Sequence, residues 1–90
     1  MRLRIRRTSQ FKRDTKRMLK RGKALDDLLF VIGELVEQRE LAAKYKDHAL
    51  KGQYKNKRDC HIEPDWILLY AFEDDDLVLY RTGTHSDLFA

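Results

Sequence analysis

Ninety residues, 42% apolar and 38% charged, make one domain, because two cores would each fall below the size that folds without staples. No apolar run approaches the roughly 18–20 residues that span a bilayer, and the opening MRLRIRR has no apolar segment behind it to serve as a secretory signal. A single cysteine excludes an internal disulfide framework, so the expectation is a cytoplasmic protein with no membrane partner. The charge is sharply divided: residues 1–23 hold eleven Lys and Arg against one acid, a net +10, whereas residues 24–90 hold eight against fourteen, a net −6. Such a concentration marks a footprint for a polyanion, nucleic acid first, or a docking surface for an acidic protein.

Residues 2–6 alternate Arg-Leu-Arg-Ile-Arg and predict a short strand with Leu3 and Ile5 on its buried face. Thr8-Ser9 offers an N-cap, after which Phe11, Met18 and Leu19 fall on one helical seam. Lys12, Lys16 and Lys20, beside Arg13, Arg17 and Arg21, form two cationic rows at a spacing of four, and Gly22 is the expected stop. A second helix begins after Ala24, with Leu25, Leu28, Leu29, Ile32, Leu35 and Val36 on its apolar stripe and Asp26 and Asp27 in the dipole-favoured first turn. Residues 39–56 show no sustained period and read as a loop running into a strand. KRDCHIE then alternates, placing Asp59, His61 and Glu63 on one face and Cys60 and Ile62 on the other. Pro64-Asp65 makes a turn, WILLYAF a central strand, the acidic Glu73–Asp76 a second turn, and DLVLYRT the last strand. The order β-α-α-β-β-β predicts one α+β domain over residues 1–90, with an antiparallel sheet core and both helices on one face.

Groups able to do chemistry crowd into the second half: His48, His61, Asp65, Arg81 and His85, with Trp66 and Phe89 beside them. His61 and Asp65 flank one hairpin turn, Arg81 and His85 leave the adjacent strand, and His48 enters on the preceding loop. If these converge, the imidazoles can take and return a proton near neutrality while a guanidinium stabilises charge on a phosphorane. That set suits metal-independent RNA cleavage by the 2′-hydroxyl, with Phe89 stacking on a splayed base. Each residue also has an ordinary reading: His48 as a loop residue, Asp65 as a turn former, Trp66 as core, Arg81 as a strand ion pair, Phe89 as a tether for the terminus. No CxxC, HExxH or glycine-rich phosphate loop occurs, so no metal and no cofactor are expected. Cys60, with inward parity, reads as a small buried hydrophobe.

YKDHALKG, RDCHIEPDWILLY and RTGTHSDLF, about a third of the chain, resemble the signature blocks of YafQ-type toxins of the RelE/ParE superfamily. The resemblance implies a ribosome-dependent mRNA endonuclease, the toxin half of a bacterial toxin–antitoxin pair, with a cognate antitoxin as partner and operator DNA reached only through that complex. It implies His48, His61, Asp65 and His85 as the cleavage site and Phe89 as an mRNA contact; Arg81 and Trp66 match the same blocks and are expected on the phosphate and the mRNA, and the two basic rows are expected to lie against rRNA. The alternatives are a non-catalytic toxin-fold module, either a ParE-like inhibitor of DNA gyrase or an RNA-binding domain, and a metal-dependent nuclease.

Overall fold

The computed structural model of the chain describes residues 3–89. Arg2, included in the expected first strand, lies outside them. In chain order the elements are β1 (Arg4–Arg7), α1 (Ser9–Lys20), α2 (Leu25–Val36), β2 (His48–Ala49), β3 (Arg58–Glu63), β4 (Trp66–Glu73), β5 (Asp76–Gly83) and α3 (His85–Phe89), with single 3-10 turns at Ala43–Tyr45 and Gly52–Tyr54. The sheet runs β1-β5-β4-β3-β2. The two hairpins the sequence predicts are present, β3 with β4 and β4 with β5, both antiparallel. β1, by contrast, pairs parallel with β5, from Arg4 opposite Asp76 to Arg7 opposite Leu79.

The expected buried face of β1 is not realised. All four of its residues are exposed, Ile5 by 49%, and only Leu3 just before it packs against the core. β1 is an edge strand, and its arginines hold it in register: Arg4 Nε lies 3.0 Å from Asp76 Oδ1 and Arg6 Nη2 3.2 Å from Glu73 Oε1. Charge on an exposed edge also discourages pairing with other chains.

α1 starts on Thr8, whose hydroxyl accepts from Phe11 N–H at 2.9 Å and donates to the Tyr80 carbonyl at 2.8 Å, so the N-cap also ties the helix to β5. It ends at Gly22 (φ +89°), with Gly22 N–H bonded to the Leu19 carbonyl and Lys23 N–H to that of Met18. That is the Schellman closure glycine permits. Phe11 and Met18 are buried as the spacing predicts, but Leu19 is 39% exposed and the third buried residue of the helix is Asp14. On α2, Leu28, Val31, Ile32, Leu35 and Val36 are buried, whereas Leu25 and Leu29 face outward.

α1 packs on β5 and α2 on β3, both on the face formed by Cys60, Trp66, Leu68, Tyr70, Leu77 and Leu79. Each large aliphatic buried there contributes about 1.5–3 kcal/mol. The opposite face carries a second, smaller core of Ile67, Leu69 and Leu88, flanked by Leu50, Tyr54 and Tyr80. Its cover is α3 and the 50–54 segment, because the chain end turns back as a short helix over the outer sheet face. The candidate site lies on this outer face.

Candidate active site

β3 delivers the first two groups. Alternation puts Cys60 and Ile62 against the helices, so Asp59 and His61 project from the outer face. β2 lies beside β3 with His48 opposite Asp59. The Asp59 carboxylate, 3% exposed as a residue, therefore sits between two imidazoles: His48 Nε2 is 3.9 Å from Oδ2 and His61 Nε2 is 3.4 Å from Oδ1. Burial pushes the Asp59 carboxyl above its usual range, and the neighbouring His48, His61 and His85 oppose that rise. Its Oδ1 accepts no hydrogen bond.

α3 brings the remaining imidazole. His85 lies with its ring centroid 5.3 Å from that of His61 and 6.2 Å from that of Phe89. Asp65, in the β3–β4 turn, receives both the His85 backbone N–H at 2.8 Å and its ring Nδ1 at 2.7 Å on one oxygen, Oδ1. Those two bonds hold the Asp65 carboxyl below the usual range. All three histidines share one feature: Nδ1 faces a protein oxygen, the Lys46 carbonyl for His48 (2.7 Å), the Pro64 carbonyl for His61 (3.3 Å) and Asp65 for His85. With Nδ1–H donating there, each Nε2 is left for other work. His48 and His85 are about half exposed as side chains, His61 only 13%.

Arg81 is oriented from the opposite side. β1 ends opposite Leu79, and a bulge between Leu69 and Tyr70 shifts the β4–β5 register there. Beyond that point Arg81 turns to α1, where Nε and Nη2 each bond Asp14 at 3.0 Å. Asp14 also accepts from Thr82 N–H, Gln10 and Arg17. Burial alone would raise the Asp14 carboxyl, but the bonds from Arg81, Gln10 and Thr82 outweigh it and hold it below the usual range. Arg81 keeps 26% of its side chain exposed, with N–H donors left over. Phe89, 41% exposed, stands edge-on to Tyr54 at 5.6 Å, and the Tyr54 hydroxyl donates to the Leu88 carbonyl.

His48, His61, Asp65, His85 and Phe89 thus lie on one face, a convergence the sequence alone leaves open. Trp66 does not. It is fully buried under the helices and donates Nε1–H to Thr82 Oγ1 at 2.8 Å, so it is a core residue with no surface to offer a substrate. The two basic rows differ in their internal partners. Arg21 is committed to Asp87 (2.6 Å), Arg17 to Asp14 (3.1 Å), and Arg13 bonds Gln10, whereas Lys12, Lys16 and Lys20 are exposed with no described partner. Asp14 and Asp59 carry no local signal of their roles: one is the single acid among eleven Lys and Arg, the other an outward residue of an alternating strand. A second cationic patch was also unread, because no periodicity marks it. Lys44, Lys46, Lys51, Lys55, Lys57 and Arg58 lie within fifteen residues that hold only Asp47 as an acid, and they surround His48 in the chain.

Two helices packed on one face of a five-stranded sheet make a RelE-like toxin fold. The chain belongs to the YafQ family: the model described as "Bacterial toxin of type II toxin-antitoxin system, YafQ" matches residues 3–90. It is 43% identical over 83 residues to the mRNA interferase toxin YafQ of Escherichia coli K12, covering 91% of this chain and 90% of that one. A crystal structure of the Escherichia coli DinJ–YafQ toxin–antitoxin complex superposes with a TM-score of 0.91 at 41% identity over 100% of both chains. A metal-bound toxin from Helicobacter pylori gives 0.91 at 43%, covering 97% of this chain and 99% of that one. Among the described residues here, no three His, Cys, Asp or Glu side chains are grouped to hold a metal ion, and no helix is long and apolar enough to cross a membrane.

Proposed function

We propose that this protein is a ribosome-dependent mRNA endonuclease that arrests translation and is held inactive by a cognate antitoxin in the cytoplasm, operator DNA being met only through that complex. The observation that carries the reading is the gathering of three imidazoles, each with Nδ1 against a protein oxygen. In the reaction His48 or His61 takes the 2′-hydroxyl proton and the oxygen attacks the adjacent phosphorus. The bond from phosphorus to the 5′ oxygen breaks, and His85, oriented by Asp65, returns a proton to that oxygen. The products are a 2′,3′-cyclic phosphate and a 5′-hydroxyl. Arg81 offers its free N–H groups to the phosphorane, where charge develops, and Asp14 keeps the guanidinium in place. Asp59 offers negative charge to whichever of His48 and His61 becomes protonated. Phe89 stacks on a base, a contact worth about 1–3 kcal/mol. No step requires a metal.

Lys12, Lys16 and Lys20 on α1 and the lysines of residues 44–57 supply the electrostatic grip on rRNA and mRNA, so binding should weaken steeply with salt. The test is induction in growing bacteria, with mRNA ends mapped by primer extension. Codon-phased cuts that vanish in His85→Ala and His61→Ala, both still folded and antitoxin-bound, support the reading. Undiminished cleavage in both variants sinks the site, growth arrest with intact mRNA and altered DNA supercoiling points to gyrase, and cleavage abolished by chelator points to a metal.

A further inference from the structure

α3 has five residues and carries both His85 and Phe89. An isolated helix of that length has almost no stability of its own in water, so something must hold it where those side chains meet His61 and Tyr54. Its own core contribution is one buried residue, Leu88.

Asp65 holds His85 and the Tyr54 hydroxyl holds the Leu88 carbonyl; the other anchors converge on Asp87. Thr84 N–H donates to Asp87 Oδ2 at 3.0 Å, and Asp87 N–H donates to Thr84 Oγ1 at 3.1 Å, a reciprocal capping box closed within one turn. The same carboxylate receives Arg21 from the end of α1, Nη1 to Oδ2 at 2.6 Å and Nη2 to Oδ1 at 3.3 Å, with Arg17 Nη2 3.7 Å away. Asp87 is pulled well below the usual carboxylate range, first by the Arg21 hydrogen bond and then by Thr84 N–H. Gly83 makes room for this arrangement. A Cβ at position 83 would stand 2.9 Å from both Asp87 Cβ and Oδ2, closer than real contacts allow. Four further letters of the RTGTHSDLF ending thus gain a role: Gly83 is the space, Thr84 the cap, Asp87 the tie, Leu88 the core.

We infer that Gly83, Thr84, Asp87 and Arg21 are positioning residues, a clamp from α1 that sets His85 and Phe89 on the site. The clamp spans 66 positions of sequence. It assigns Arg21 to internal architecture and leaves external phosphates to the lysines. The inference rests on the proposed reaction only for its activity readout, since the geometry it explains is independent of substrate.

The test compares Asp87→Asn, Arg21→Gln and their double variant. Asn keeps one oxygen for Thr84 N–H and Arg21 Nη1, and loses the charge and the second acceptor that takes Arg21 Nη2. A displacement of about 1 Å at a reacting group can cost up to 100-fold. Each single variant should therefore lower kcat for cleavage on ribosomes at least tenfold with KM nearly unchanged, and the double variant should be no worse than either. The close approach of the His61 and His85 rings, read by NMR in the free protein, should be lost in Asp87→Asn and in Gly83→Ala while Trp66 fluorescence reports a folded core. Additive losses, or a rise in KM confined to Arg21→Gln, would place Arg21 on RNA and overturn the clamp, as would an unchanged ring contact. His85→Ala with undiminished cleavage would overturn the reaction instead, and the NMR comparison would then decide the clamp by itself.

Discussion

Asp14→Ala is the perturbation that most directly joins stability to the site. The carboxylate is fully buried and accepts five hydrogen bonds: two from Arg81 and one each from Thr82 N–H, Gln10 and Arg17. Removing one partner of a buried ion pair costs about 3–5 kcal/mol when the other charge stays buried. Arg81 and Arg17 keep 26% and 39% of their side chains exposed and recover some water, which lowers the expected loss to about 2–4 kcal/mol. In a domain of this size each kcal/mol moves Tm by about 4–8 °C, so a loss of about 3 kcal/mol lowers Tm by about 12–24 °C. The assay is thermal and urea unfolding followed by fluorescence of Trp66, the only tryptophan and fully buried. The sign of the pH dependence follows from the lowered Asp14 carboxyl. Its stabilisation is fully present above the unfolded value of about 3.9 and is lost as pH falls through the lower folded value. Asp14→Asn, neutral throughout, should show a shallower decline in acid than the wild type. A variant Asp14→Ala that melts within about 4 °C of the wild type would refute the claim that this carboxylate holds α1 to β5.

Three further expectations can be checked with the same protein. Asp59 is buried with its carboxyl raised, so its ionised form is penalised in the fold and the penalty grows as pH rises through the raised value; Asp59→Asn should be at least as stable at pH 7 in urea unfolding yet cleave mRNA more slowly, and a clear loss of stability would contradict this. Trp66→Phe should cost about 1–3 kcal/mol, through lost volume and the lost bond to Thr82, with KM for mRNA unchanged; here circular dichroism replaces fluorescence, and a raised KM would restore Trp66 as an mRNA contact. Cys60 is wholly buried and burial pushes its thiol far up, so a thiol reagent should label it only at the rate of unfolding; fast labelling of the native protein would contradict the packing.

The sequence carries what is local and periodic. Alternation in KRDCHIE puts Cys60 and Ile62 under the helices and His61 on the opposite face, and the stripe on α2 is legible except that Leu25 and Leu29 face outward and Val31, outside the stripe, is buried. Thr8 and Gly22 mark the ends of α1 because caps are short-range chemistry. What escapes is set by partners far along the chain. Asp14 is buried because Arg81 lies 67 positions away, and no window around Asp14 contains that fact. β1 pairs in parallel with the last strand, a choice made by the whole topology. The α3 segment is too short for any helical period, and its clamp depends on Arg21. The histidines were recognisable as a set through their motif blocks, whereas the acid between two of them, Asp59, looked like any outward residue until the tail covered that face.

The most direct test of the central claim is chemical. The scissile nucleotide of an mRNA in the ribosomal A site is synthesised with a 2′-hydroxyl or a 2′-deoxy sugar, and single-turnover cleavage by the wild-type protein is followed in the presence of chelator. A 2′,3′-cyclic phosphate is expected from the first substrate and no cut at that position in the second. Cleavage of the deoxy substrate, or a requirement for added metal, would contradict the claim.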